Sequence, residues 1–186
     1  MEFSTQGFVE TKPEGFVKKF ISPGIEVATI KSVELVTAAT TGNKGVKLVL
    51  ETAPEEALEG KGRTADVIFY LSESAWPHTK RRISNIADAL KVREKVDAIK
   101  TDSEEVYVKE IAKLFTGKKA NWKFAGKEIP GKEGKQSWWK AEVAFFDFVE
   151  SVGTTPSTLR FDKDRDMTRL PKAEIETADT AGALPF

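Results

Sequence analysis

A chain of 186 residues, 40% apolar with twelve Phe, is long enough for one compact domain with a genuine core, plus appendages. It has no Cys, which excludes a disulfide scaffold, thiolate metal sites and thiol nucleophiles and fits a reducing, cytoplasmic setting. Lys and Arg number 29 against 29 Asp and Glu, so no strongly basic body is present, although the distribution matters more than the sum.

The start, Met1-Glu2-Phe3-Ser4-Thr5-Gln6, lacks the basic region and apolar run of a secretory signal. Nothing in the chain approaches the roughly 18 apolar residues of a membrane span. The first 23 residues repeat a small unit, Gly7-Phe8-Val9 and Gly15-Phe16-Val17, before Lys18-Lys19-Phe20-Ile21. With Pro13 and Pro23 among them, an extended arm is expected. Its aromatic residues, Phe8, Phe16 and Phe20, either pin it to the domain or track a ligand.

Strand patterns begin at Gly24. Ile25 to Val36 forms a first strand, the cluster Thr40–Gly45 a turn, and Val46 to Thr52 a second strand with Val46, Leu48 and Leu50 on one face. Arg63 to Leu71 reads as the third. Helical spacing follows over Glu73 to Lys91, with Ser72 as N-cap and Pro77 tolerated in the first turn. A second helix spans Ser103 to Phe115, and Gly117 is its stop. Two strands close the domain, Lys118 to Ala125 and Ser137 to Glu150, joined by a basic hairpin loop, Gly126 to Lys135. Beyond Gly153 the polar, Pro-punctuated chain reads as a flexible tail.

The expected fold is therefore mainly β with helices: an OB-fold-like five-stranded barrel over residues 24–150, with helices between strands three and four. Another small α+β barrel, or a half-open sheet with packed helices, is the alternative.

Catalytic signatures are sparse. His78 is the single histidine, and its place on the first turn of a helix suits a solvated or capping role. Gly126-Lys127-Glu128-Ile129-Pro130-Gly131-Lys132 imitates a phosphate-binding loop, but Glu133 stands where Ser or Thr must hold magnesium. Asp162-Lys163-Asp164-Arg165-Asp166 reads as a self-neutralising linker rather than a cation site. No enzyme, metal or cofactor is expected.

Binding a single strand of nucleic acid asks only for aromatic faces on which bases stack and for cations along the phosphates. In an OB-fold that surface crosses strands two and three between two loops. It maps here onto Lys44, Lys47, Arg63, Phe69, Tyr70, Lys123, Lys127, Lys132, Lys135, Trp138 and Lys140. Trp138 and Trp139 are neighbours on one strand and must face opposite sides. Trp139 shares parity with Ala141, Val143 and Phe145, the core row; Trp138 shares it with Lys140 and Glu142, and is either the best base-stacking platform or packed beneath the helices or the N-terminal arm. Lys80-Arg81-Arg82 reads as a solvated helix face, an extension of the phosphate path or a dock for the chain's own tail.

The polar tail ends in Asp179-Thr180-Ala181-Gly182-Ala183-Leu184-Pro185-Phe186. After Ala173 it holds three acids and no base, leaving residues 1–172 with 29 bases against 26 acids. This tip resembles that of bacterial-type single-stranded DNA-binding proteins. Together with the OB-like order of elements, the chain resembles a phage-type single-stranded DNA-binding protein. That resemblance implies sequence-independent strand binding in replication or recombination, with Asp179, Leu184, Pro185 and Phe186 recruiting partner proteins. A protein–protein adaptor that binds no nucleic acid is the competing expectation, and a metal-dependent nuclease a distant third.

Overall fold

The computed structural model describes residues 19–39, 41–131 and 137–170. Within them the chain is mainly β. The strands are β1 (Gly24–Thr37), β2 (Lys44–Glu51), β3 (Thr64–Tyr70), β4 (Lys119–Ile129), β5 (Trp138–Val143), β6 (Val149–Ser151) and β7 (Met167–Thr168). They form one sheet in the order β3-β2-β1-β4-β5, with β6 and β7 also laddered to β4. Every pairing is antiparallel except β4–β7.

The long β1 is shared between neighbours. Its first half pairs with β4 and its second with β2, and a register shift between Ile30 and Ser32 marks the change of partner. Such a bulge bends a strand and increases its twist, so the sheet curls and β3 comes close to β5. No ladder joins those two. The sheet stays open along that seam.

Alternation dictates which side is buried. Ile30 and Val33 of β1, Val46, Leu48 and Leu50 of β2, Val67 and Phe69 of β3, and Trp122 and Phe124 of β4 face the core. Trp122 is fully enclosed, and its indole N–H donates to the Ala28 carbonyl at 3.2 Å.

The helices are α1 (Trp76–Ala89), α2 (Arg93–Asp97), α3 (Glu104–Phe115) and α4 (Lys163–Asp166). Pro77 falls at the start of α1, where a missing N–H costs nothing. Ser72 does not cap this helix through its side chain; a turn over 72–75 intervenes. Ser103 does cap α3, accepting from the Val106 amide, and Gly117 takes a left-handed conformation just after it. Helix α1 is fastened to the sheet at three points. Thr79 donates to the Tyr70 carbonyl, Arg82 to the Ala144 carbonyl, and Ser151 to the Ala89 carbonyl.

Three stretches depart from expectation. β4 runs on past Ala125, so Gly126 to Ile129, expected in the hairpin loop, are strand residues laddered to β5. The last expected strand, 137–150, breaks into β5 and β6, because the chain loops out at Phe145-Phe146-Asp147 with Asp147 left-handed. Phe145, expected in the core row, is consequently exposed. The segment 151–170 also folds back onto the sheet rather than beginning a flexible tail. Glu150 anchors its start, accepting from the Thr158 amide and hydroxyl at 2.8 Å each. Burial raises a carboxyl, but the bonds from Ser157, Thr158 and Asn121 overturn that and hold Glu150 down at about 2. Leu159 is buried, and β7 runs beside Gly126, where a Cβ would fall 2.3 Å from the Met167 sulfur.

Among the described residues, no helix is long and apolar enough to cross a membrane.

Candidate nucleic-acid interface

The seam between β3 and β5 opens into a cleft of about 770 Å³. Ile68 and Tyr70 rise from β3, Trp138 and Trp139 from β5, and Phe20 from the segment that precedes β1. Residues 19–21 reach this place by pairing with Thr64 at the start of β3, with Ile21 buried as the pin. Phe20 beside it is 72% exposed, Trp138 52%, and Tyr70 and Ile68 are exposed as well. Leaving so many large apolar groups in water around one concavity marks an interaction site rather than a folding need.

The parity argument for the two tryptophans holds. Trp138 is exposed, while Trp139, Ala141 and Val143 turn increasingly inward. The register of the β4–β5 hairpin sets Ile129 opposite Trp138 and Lys127 opposite Lys140. Directly opposed like charges destabilise a sheet, and an anion lying across them would relieve that cost.

Lys140 itself and most of the other predicted cations already hold a carboxylate partner. Lys44 is paired with Glu104 at 2.7 Å and Lys47 with Asp66 at 2.7 Å; each carboxylate raises its partner's ammonium pKa. Arg63 is clamped between Glu55 and Glu26, and Lys140 lies 2.9 Å from Glu142. The charges lining the cleft, Asp66, Arg82, Lys140 and Glu142, therefore balance.

Two predicted site residues are corrected outright. Phe69 is 3% exposed and belongs to the core, since on one strand it cannot share the outer face with its neighbour Tyr70. Lys123 is 1% exposed. It does point away from Trp122 and Phe124, but the folded-back segment covers that side and sets Asp166 3.7 Å from its ammonium. Burial alone would raise the Asp166 carboxyl, yet the Asp162 amide, Arg165 and Lys123 hold it below its ordinary value. The acidic run is thus a small folded unit: Asp162 caps α4 and Asp166 docks it.

No protein-family model matches the chain, and no curated protein matches it.

Lys132 and Lys135, together with the tip residues Asp179, Leu184, Pro185 and Phe186, lie outside the described residues, as do Phe8 and Phe16. Sequence reasoning assigned Lys80-Arg81-Arg82 as one face, but the three part company. Lys80 and Arg81 are exposed. Arg82 is half-buried among Phe69, Phe145 and Phe148, with ring centroids 5.0, 5.4 and 4.9 Å from its guanidinium carbon. Burial lowers its pKa from the usual value. Ile68 was missed, although its parity with Tyr70 already placed it on the outer row.

Proposed function

We propose that the protein binds single-stranded DNA without sequence preference, through an OB-like domain over residues 24–150. The bases stack in the β3–β5 cleft, and the C-terminal tip recruits other proteins in phage DNA replication or recombination, in the host cytoplasm. The observation that carries this reading is the cleft itself, where Phe20, Tyr70 and Trp138 expose ring faces around one concavity. Ring faces of this kind accept any base. The ladder order β3-β2-β1-β4-β5, with helices after the third strand, supports the OB-like reading.

Trp138 is the central platform. Trp138→Ala should weaken oligo(dT) binding by about 1–3 kcal/mol, the usual worth of one stacked base, and remove most of the fluorescence quenching caused by the oligonucleotide. A titration at several salt concentrations checks this, because phosphate contacts make affinity fall with salt. Equal affinity in the variant would remove Trp138 from the site.

The balanced charge of the cleft favours a second reading, a protein–protein adaptor. It is adopted if oligo(dT) leaves the fluorescence of the unaltered protein unchanged at low salt.

The ion pairs then act as competitors of the phosphates. Exposed pairs contribute about 0–1 kcal/mol, so a phosphate can replace Asp66 at Lys47 and Glu142 at Lys140. Removing both acids (Asp66→Asn with Glu142→Gln) should tighten oligo(dT) binding by up to about fivefold per pair, about thirtyfold together. Unchanged or weaker binding would mean that the phosphates run elsewhere.

A further inference from the structure

A second aromatic site lies beyond the cleft, at the break between β5 and β6. Phe145 and Phe146 are each 59% exposed, with their rings edge to face and centroids 4.6 Å apart. They stand out of the sheet only because the chain loops out there, with Asp147 in a left-handed conformation that costs a non-glycine residue energy. Around them lie His78, whose ring centroid is 6.4 Å from that of Phe145, and Arg81, both on α1. Among the described residues, Asp147 is the acid that lines the same pocket.

Arg82 joins the two places. It lines the cleft and also the small pocket beneath the Phe pair, packs under Phe145 and donates to the Ala144 carbonyl at 2.6 Å. Its Nε is buried with no hydrogen-bond partner among the described residues.

We infer that Phe145 and Phe146 form a second base-stacking shelf, so that a bound strand passes from Trp138 along β5, over Arg82, to this pair. This rests on the strand-binding reading of the cleft. From Trp138, β5 runs to Val143 and Phe145 follows two residues on, roughly 20 Å of near-extended chain, a span that fits a footprint of about 4–16 nucleotides. The shelf has the two elements the ligand needs: ring faces for bases, and Arg81 beside them for phosphate. Only a strand long enough to leave the cleft reaches it.

The test compares oligo(dT) of about four and about twelve nucleotides on the full chain and on Phe145→Ala/Phe146→Ala. The longer oligonucleotide should bind the variant about tenfold more weakly, the loss of roughly one stacked base. The shorter one should bind it as before. Arg81→Ser, which leaves both rings in place, should reproduce a smaller, salt-dependent part of the same length-selective loss. Undiminished binding of both lengths to the Phe variant removes the shelf and leaves the cleft reading intact. Equal weakening of both lengths also overturns the shelf, since it signals a loosened Arg82 and not a lost contact. If neither length binds the unaltered protein, it is the strand-binding reading that falls.

Discussion

Replacing Asp166 with Ala is expected to destabilise the protein by about 3–5 kcal/mol, the usual consequence of removing one partner of a buried ion pair. Lys123 sits on β4 with only 2% of its side chain exposed, and Asp166 is the carboxylate that faces it. Without that carboxylate the nearly buried ammonium loses the counter-charge that faces it among the described residues. The same change removes the acceptor of the Asp162 amide and with it the closure of α4. For a chain of this size each kcal/mol moves the melting temperature by about 2–4 °C, so a drop of roughly 6–20 °C should be visible by circular dichroism. The combined change Lys123→Met/Asp166→Leu removes both charges and should recover most of the loss. A single Asp166→Ala variant that melts with the unaltered protein would show that Lys123 finds water. The pair would then be a surface feature.

This pair also shows where sequence reasoning reaches its limit. Alternation along β4 correctly separates Lys123 from Trp122 and Phe124, because side-chain period is a property of the strand alone. Whether the far side of a strand meets solvent depends on what else crosses it. The covering segment, 159–168, is polar and punctuated by charges, and composition gave it the look of a tail. Its folding rests on partners outside the segment itself, Glu150 on β6 for Thr158 and the far more distant Lys123 on β4 for Asp166. No local pattern announces such partners.

The element order, by contrast, was readable. Apolar alternation placed the first five strands, helical spacing placed α1 and α3, and Ser103 and Gly117 marked the ends of α3. At the cleft, parity alone put Trp138 outside and Trp139 toward the core. The same parity, applied to β3, would have moved Phe69 into the core and brought Ile68 out beside Tyr70. The break at Phe145–Asp147 was the harder case. An unbroken run of aromatic and aliphatic residues reads as one strand, and only the left-handed backbone at Asp147 turns the two rings outward. The short α2, Arg93–Asp97, sits between the two expected helices, where no element was expected.

Trp122→Ala should be at least as damaging as the loss of Asp166, at about 3–5 kcal/mol. Trp122 is fully enclosed between the sheet and Phe148, whose ring centroid lies 6.4 Å away. Removing the indole takes away a large buried apolar surface, leaves a cavity that a laddered strand cannot collapse to fill, and deletes the side-chain hydrogen bond to the Ala28 carbonyl, which keeps its ladder partner Ala120. Trp122→Phe separates these contributions. It keeps most of the packing and removes one hydrogen bond to a carbonyl that retains its ladder partner, and should cost about 0.5–1.5 kcal/mol. Thermal or urea unfolding measures both. Position 122 lies in the part of β4 that pairs with β1 and β6, whereas the β5 hairpin that presents Trp138 is laddered to the far end of the same strand, from Phe124 to Ile129. Oligo(dT) affinity measured well below the lowered melting temperature should therefore stay within about twofold of the unaltered protein, since distant, independent sites add with little coupling. A Trp122→Phe variant that folds but has lost strand affinity would instead show that the cleft depends on the register of the whole of β4. The site would then be set by the sheet's curl as much as by the side chains lining it.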